Sequence, residues 1–219
     1  MDLKIHPQLR DKFSGLSAKI SFIRGLEIKP SEPALESFKV NIISDTVAKW
    51  NLDELKENPV FRAYRDFFWK VGVDPTKIRP ASEALIRRIL RGGSIPTINT
   101  LVDAYNIASV NTCIPFGAFD TDRMTGELLM REGKTGEEFI GIGMDKPMIL
   151  EGKEAVIQDA TRLVAVYPYR DADYSKVASN TKNVLLMTCG VPGISQEMLT
   201  EAEKIGIDYI TRFCHGSTW

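Results

Sequence analysis

The sequence predicts an α+β fold, with helices in the first half of the chain and short strands in the second. Apolar residues recur at helical spacing through most of residues 34–112. From Ile114 onward, short apolar runs alternate with turn-forming residues, as in a region that forms sheets. Because helices and strands are segregated along the chain, the pattern argues against a doubly wound parallel sheet.

Composition indicates an ordinary globular protein. Of 219 residues, 43% are hydrophobic and 26% are charged, and no apolar run approaches the roughly 18 residues of a membrane span. The first residues carry no apolar signal core. The net charge of −1 counts against a dedicated nucleic-acid binder but permits a local basic face. We therefore expect a cytoplasmic protein without a membrane partner.

The sequence carries no motif for a cofactor or a metal. Its three cysteines form no Cys-x-x-Cys pair, and its two histidines lie near the ends of the sequence. Gly141-Ile142-Gly143 lacks the third glycine and the following helix of a dinucleotide fingerprint. We therefore expect neither a cofactor nor a bound metal, and a Ser-His or Cys-His nucleophile is disfavoured.

One strand and two helices are predicted near the N-terminus. Residues 16–28 alternate apolar and polar side chains, as a strand does. Residues 34–50 carry an apolar stripe at helical spacing. Asn51 is placed to cap the next helix, which ends near Val73-Asp74-Pro75.

The predicted domain organisation is a single unit. The apolar stripes of the N-terminal helices require burial against another part of the chain. We therefore expect residues 1–78 to pack on a core formed by residues 79–219, so that residues 1–219 form one domain.

A basic amphipathic helix follows. Ser82 suits its N-cap, and Gly92 suits its C-terminal stop. Arg87, Arg88 and Arg91 share one face because they lie three and four residues apart. These arginines either contact phosphates or, as cations near a helix C-terminus, stabilise the helix dipole.

Asn99 stands where a loop enters the next predicted helix. An asparagine at that position can cap the backbone of the helix. Its amide can also bind an amino acid, and the sequence leaves both interpretations open.

The second half of the chain has the pattern of short strands joined by turns. Gly117 is the unusual residue of the first strand, because glycine weakens a strand unless a ligand or a neighbour approaches the backbone closely. Phe116 and Phe119 flank it and belong to either the core or a pocket. The remaining predicted elements are strands near residues 127–131, 139–142, 155–157, 163–167, 184–188 and 207–209, a turn at Thr125-Gly126, and a helix from Ser195 to about Lys204.

A long polar loop, residues 169–182, separates two of these strands. It is dense in opposite charges and long for a simple connector. Arg170 can bind a carboxylate or a phosphate of a ligand. The alternative is a solvated loop whose charges pair with one another at little energetic gain.

Three landmarks occur in order along the chain. They are Ile98-Asn99-Thr100-Leu101-Val102-Asp103, then Pro115 with Ala118-Phe119-Asp120, and then Thr181-Lys182-Asn183-Val184-Leu185-Leu186. In this order they resemble the tRNA-binding and editing domain of the phenylalanyl-tRNA synthetase beta subunit, and even more the short stand-alone proteins that carry this domain. The resemblance covers about residues 80–195 and implies a layered β/α domain with a β-sandwich-like core.

The resemblance also implies a substrate class. In the synthetase, this domain receives the misacylated 3′ end of tRNA and hydrolyses tyrosine from it. Two residues depart from the family motif: Gly117 replaces a histidine and Met187 replaces a glutamate. Such a pocket either takes a different acyl group or no longer edits.

The resemblance and the local patterns together give a set of candidate site residues. Those expected to bind substrate are Asn99, Pro115, Gly117, Phe119, Arg170, Asp171, Asp173 and Thr181. Those expected to bind RNA are Arg87, Arg88, Arg91 and Lys176. No catalytic residue is assigned.

Three functional hypotheses follow. The first is a stand-alone tRNA- or RNA-binding domain that hydrolyses misacylated tRNA in trans, as an aminoacyl-tRNA deacylase and not a full synthetase. The second is a non-catalytic RNA- or amino-acid-binding module on the same fold. The third is unrelated small-molecule chemistry, since fold does not fix function. The expected partners are tRNA or the 3′ end of aminoacyl-tRNA, or a free amino acid.

Overall fold

The computed structural model describes residues 2–218 of the chain. The helices are α1 (Pro7–Lys12), α2 (Pro33–Lys49), α3 (Pro59–Lys70), α4 (Ala81–Leu90), α5 (Thr100–Thr112) and α6 (Gln196–Cys214). The strands are β1 (Leu3–Ile5), β2 (Ser17–Arg24), β3 (Phe116–Asp120), β4 (Leu128–Glu132), β5 (Glu138–Phe139), β6 (Met148–Ile149), β7 (Ala155–Gln158), β8 (Leu163–Tyr167), β9 (Arg170–Asp171), β10 (Asn183–Gly190) and β11 (Ser217–Thr218). The predicted α+β class is confirmed.

The strands form two larger sheets and one short hairpin. Sheet I has the strand order β1-β4-β7-β8-β9, and sheet II has the order β11-β2-β10-β3. Strands β5 and β6 pair separately. Parallel pairing occurs between β1 and β4, whereas the other strand pairs are antiparallel.

Strand β10 holds sheet II together. It pairs with β2 along its whole length and with β3 on its other side, so Met187 lies between Ile20 and Gly117. All eight residues of β10 except the first are buried. The strand is therefore central and apolar, as a doubly covered strand requires.

The N-terminal elements share the main core with the later ones. Leu35 of α2 and Phe61 and Phe67 of α3 are buried in the same apolar cluster as Leu185 of β10 and Ile210 of α6. This burial meets the requirement of their apolar stripes. A second, smaller cluster also involves sheet I and consists of Phe139, Leu150, Val156, Leu163, Val166 and Ala172.

Two sequence predictions near helix starts are wrong. Ser82 is not an N-cap, because Ala84 N already donates to Pro80 O at 2.9 Å and the helix begins at Ala81. The Ser82 hydroxyl is buried without a hydrogen-bond partner among the described residues. Asn51 accepts from Asp53 N and precedes a 3₁₀ turn, and Asn58 caps α3 instead.

The predicted strand at residues 207–209 is also wrong. This segment lies inside α6, which continues to Cys214 instead of ending near Lys204. Tyr209, Ile210 and Phe213 are buried, and their spacing is helical rather than alternating. The strand predicted at residues 139–142 ends at Phe139, and Ile140 and Ile142 are exposed.

Candidate functional site

A small cavity opens where sheet I meets sheet II. Its lining includes Phe116, Gly117 and Phe119 from β3, Met187 and Cys189 from β10, and residues of β8 and β9, Asp171 among them. Its volume is about 20 Å³. That is room for about one water molecule, and a water there needs polar partners.

Gly117 allows two side chains to approach the backbone of β3. A Cβ atom at this position would lie 3.3 Å from Phe119 Cζ and 3.4 Å from each carboxyl oxygen of Asp171. The Asp171 carboxyl therefore occupies the space next to Gly117 that a larger side chain would need. A histidine here, as in the family motif, would require that carboxyl to move.

Asp171 is the ionisable group of this cavity. Burial raises the pKa of its carboxyl to about 7, and the nearby positive charge of Arg170 lowers it by a smaller amount. Among the described residues, no group donates a hydrogen bond to its carboxyl oxygens. Asp171 in turn raises the pKa values of the Tyr105 phenol and the Cys189 thiol, although burial is the larger cause for both.

Arg170 packs on a different neighbour. It pairs with Val166 in sheet I, whereas Asp171 pairs with Ala165. A Cβ atom at Gly141 would lie 2.6 Å from Arg170 Cδ, so the aliphatic part of the arginine rests on the Gly141 backbone. Adjacent residues of a strand face opposite sides, which separates Arg170 from the carboxyl of Asp171.

Asp173 and Lys176 form an ion pair beside a second cavity. Lys176 Nζ lies 2.7 Å from Asp173 Oδ1. Asp173 also lines a cavity of about 350 Å³ with Phe139, Arg162 and Tyr174. Neither residue lines the cavity beside Gly117, although Lys176 pairs with Phe119 of that cavity in an isolated β-bridge.

Thr181 has a structural contact. Its hydroxyl donates to Asp120 Oδ2 at 2.7 Å and accepts from Ala178 N at 3.0 Å. Thr181 and Asp120 are both buried. The pair ties the end of the polar loop to the end of β3.

Asn99 caps α5. Its side-chain oxygen accepts from Leu101 N at 3.1 Å and from Val102 N at 3.0 Å. Pro115 is also engaged in backbone structure, since its carbonyl accepts from Cys189 N at 3.0 Å. These contacts are sufficient to explain both residues without a ligand.

A buried ion pair lies close to Asn99. Lys39 Nζ donates to Asp103 Oδ2 at 2.7 Å, and Ile98 N donates to Asp103 Oδ1 at 2.9 Å. The Lys39 and Asp103 side chains are 4% and 0% exposed. This pair joins α2 to the first turn of α5.

A basic groove of about 420 Å³ lies along α4. Its cationic lining consists of Lys77, Arg79, Arg87, Arg88 and Arg91. The groove thus gathers the three arginines that the sequence places on one helix face, together with two further cations from the preceding segment. A local concentration of positive charge of this kind attracts phosphates.

The cations of this groove differ in how they are paired. Arg87 Nε lies 2.6 Å from the buried Glu83 carboxylate, which also binds Arg65. Arg88 is exposed, and its Nε donates to Ser94 O at 2.7 Å. Arg79 Nε is buried without a hydrogen-bond partner among the described residues. Arg88, Arg91, Lys77 and Arg79 are therefore the groove cations most available to a ligand.

Several residues of these sites were not identified from the sequence. Cys189 follows Met187 by two residues, so the alternation of β10 could have placed both on one face. Lys77 and Arg79 precede α4 and could have been added to the basic face. The charge of Asp171 reaches Tyr105 of α5 although the two residues are far apart along the chain, and no local pattern indicates this.

Two further searches of residues 2–218 gave negative results. No cluster of three or more His, Cys, Asp or Glu side chains is arranged to hold a metal ion. No helix in this part of the chain is both long and apolar enough to cross a membrane.

The family of this α+β chain follows from its sequence. Residues 63–216 match the B3/4 domain, and the chain belongs to the B3/4 domain family. The match begins inside α3 and ends beyond α6, so it includes the cavity and the groove.

The relatives that the chain matches include beta subunits of phenylalanine–tRNA ligase. The chain is 28% identical over 120 residues to the phenylalanine–tRNA ligase beta subunit of Malacoplasma penetrans, covering 54% of this chain and 15% of that protein. It is 25% identical over 202 residues to the Solibacter usitatus beta subunit, covering 91% of this chain and 24% of that protein. The chain thus spans less than a quarter of the length of either relative.

A solved structure shows the same fold. An N-terminal fragment of the Pyrococcus horikoshii phenylalanyl-tRNA synthetase beta subunit superposes with a TM-score of 0.54 at 12% identity. The match covers 99% of this chain and 50% of that fragment. The predicted relation to the synthetase beta subunit family is confirmed.

Proposed function

We propose that this chain is a stand-alone B3/4 domain that binds the acceptor end of tRNA and hydrolyses a wrongly attached amino acid in trans, in the cytoplasm. The observation that carries the proposal is the cavity between the sheets. It brings together Gly117, Phe119 and Asp171, three of the residues that the sequence predicts to bind substrate. We further propose that residues 1–219 act as one domain.

Hydrolysis of an aminoacyl ester makes modest demands on a protein. The ester is activated, so a positioned water and stabilisation of the developing charge can supply much of the rate. A cavity of about 20 Å³ holds one water but not an amino-acid side chain. We therefore place the ester carbonyl at the mouth of the cavity, with the amino-acid side chain outside it.

The basic groove supplies the RNA-binding part of the proposal. The chain has a net charge of −1, yet five cations line this one groove. Contacts with phosphates release counterions, so affinity should fall steeply as salt rises. Arg88 and Arg91 are exposed and lie outside the ion pairs of Glu83.

The test is deacylation of a panel of mischarged tRNAs by the purified protein, with tRNA binding measured in parallel. We expect faster release of at least one amino acid than in buffer alone. The Arg88→Ala/Arg91→Ala variant should bind tRNA at least about tenfold more weakly and with a shallower salt dependence. A Lys56→Ala/Lys204→Ala variant removes two exposed charges outside the groove and should bind as the wild type does. No release from any tRNA on the panel would contradict the hydrolytic function.

A second candidate is a non-catalytic RNA- or amino-acid-binding module. It is favoured by Gly117 and Met187 in place of the family's histidine and glutamate. It predicts a rise in melting temperature with tRNA or an amino acid, without turnover. Binding of tRNA that is lost in the Arg88→Ala/Arg91→Ala variant, with no deacylation, would support this candidate over the first.

A further inference from the structure

The Asp171 carboxyl is half-buried and differs from the fully buried acids of the molecule. It faces the Gly117 backbone across a cavity with room for one water. The buried acids Asp103 and Glu83 are held by Lys39, Arg65 and Arg87, whereas no group of the described residues donates to Asp171. An ionisable group in a cavity without a fixed partner is available to a water or a ligand.

We infer that Asp171 accepts the proton of the water that attacks the ester, and so acts as the general base of the proposed deacylation. This inference rests on the proposed function. Proton transfer by a positioned carboxylate requires that the water lie within hydrogen-bond reach of it. The cavity has room for one water, and Asp171 is part of its wall, so a water bound there would contact this residue.

The surroundings of Asp171 suit this role. Tyr105 approaches from α5, Cys189 from β10, and Arg170 is its neighbour on β9. Tyr105 and Cys189 stay neutral near pH 7 because burial raises the pKa of each. Arg170 is therefore the charged neighbour, and the pKa of Asp171 at about 7 puts a large share of the carboxylate form at neutral pH.

The chemical step is balanced. The water oxygen bonds to the ester carbonyl carbon while one water proton passes to the Asp171 carboxylate. The bond between that carbon and the ribose oxygen then breaks, and the proton held by Asp171 returns to the leaving ribose oxygen. The products are a free amino acid and a tRNA with a free terminal hydroxyl, and no oxidant, metal or further reactant is needed.

The experiment measures single-turnover deacylation against pH, after subtraction of the rate without enzyme. We expect the wild-type rate constant to rise with pH through an apparent pKa near 7. Asp171→Asn should lower the rate constant about 10²- to 10⁴-fold and remove this titration, with tRNA affinity unchanged. Asp208→Asn alters an exposed acid on α6 and should retain the wild-type profile.

A second variant tests the role of Asp171 even if Asp171→Asn does not fold. Gly117→Ala adds a methyl group about 3.4 Å from both carboxyl oxygens. Contact of this apolar group with the carboxylate should disfavour its charged form and move the midpoint of the rate profile to higher pH. An unmoved midpoint in a folded Gly117→Ala protein would count against Asp171 as the titrating group.

The outcomes separate the two proposals. If the wild type hydrolyses no tRNA on the panel, the proposed function fails. If the wild type hydrolyses tRNA and Asp171→Asn does so equally fast, only the role of Asp171 is overturned. Weaker tRNA binding with an unchanged single-turnover rate constant at saturating enzyme also overturns the inference, because Asp171 would then bind substrate and not accept the proton.

Discussion

Two acids close to helix α5 have opposite environments. Asp103, in the first turn of the helix, is fully buried and accepts hydrogen bonds from Lys39 and Ile98 N. Asp171 lies near Tyr105 of the same helix, and its carboxyl oxygens accept no hydrogen bond from the described residues. Both acids raise the pKa of Tyr105, after the larger effect of burial.

The difference indicates which acid serves the fold. A buried charge is costly unless it is paired and hydrogen-bonded, and Asp103 meets both conditions. Asp171 meets neither, so its ionised form lowers stability and its pKa rises. Such a group is a candidate for function because nothing in the fold requires its charge.

The largest expected effect is at the paired acid. Asp103→Ala removes the buried carboxylate partner of Lys39, which keeps the partly exposed Glu36, and it also removes the acceptor for Ile98 N. We expect a loss of about 3 kcal/mol of unfolding free energy. Urea denaturation with a fixed m-value measures it. Replacing Lys39 by Met in the same chain should restore much of the loss. A loss below about 1 kcal/mol in Asp103→Ala would contradict the conclusion that Asp103 stabilises the fold and Asp171 does not.

At the unpaired acid the effect depends on pH. The folded-state pKa of Asp171 is about 7 against an ordinary value of 3.8, so the folded protein holds a proton that the unfolded chain has lost. Stability should therefore fall as pH rises from about 4 and level off above pH 7. Asp171→Asn should remove about 2 kcal/mol of this fall, less than the full shift implies because the residue is partly exposed. Urea denaturation at pH 5 and pH 8 measures the fall in unfolding free energy. An equal fall in the wild type and in Asp171→Asn would contradict this prediction.

A smaller effect is expected at the cap beside Asp103. Asn99→Ala removes the acceptor for Leu101 N and Val102 N and should cost about 1 kcal/mol. Asn99→Asp keeps an acceptor and should be close to neutral. Thermal melting measures both variants. If Asn99→Ala is as stable as the wild type yet loses ligand binding, Asn99 belongs to the binding site and not to the fold.

The smallest effect is expected at an exposed acid. Asp173 and Lys176 are 41% and 43% exposed, so their ion pair is well solvated. Asp173→Asn should change unfolding free energy by no more than about 0.5 kcal/mol. Urea denaturation measures the change. A loss above about 1 kcal/mol would show that the exposure of an acid in this loop does not predict its contribution to stability.

The sequence carries much of the fold through local signals. The helical stripe at residues 34–50, the cap at Asn99 and the apolar run of β10 are local patterns, and the structure has elements at each. Residues 207–209 were wrongly predicted to form a strand because three residues are too few to distinguish the apolar pattern of a strand from that of a helix. Burial of Tyr209 and Phe213 against the core decides for the helix.

The candidate site was harder to predict because it depends on register. The sequence singles out Gly117 but gives no reason to prefer Asp171 over Arg170 as its neighbour. That choice follows from the pairing of Ala165 with Asp171 in sheet I and of Met187 with Gly117 in sheet II. A shift of one residue in either pairing would turn a different side chain toward the cavity.

The order of strands in sheet II also constrains how the protein is made. Strand β2 (17–24) pairs with β10 (183–190). Strand β2 therefore leaves the ribosome long before β10 is made. Until then β2 exposes unpaired backbone groups, which can pair with another chain. The wall formed by Met187 and Cys189 follows the other residues of the cavity along the chain, so a nascent chain halted before β10 has no cavity beside Gly117. A partial chain that ends before β10 therefore holds the residues of the basic groove without the candidate site.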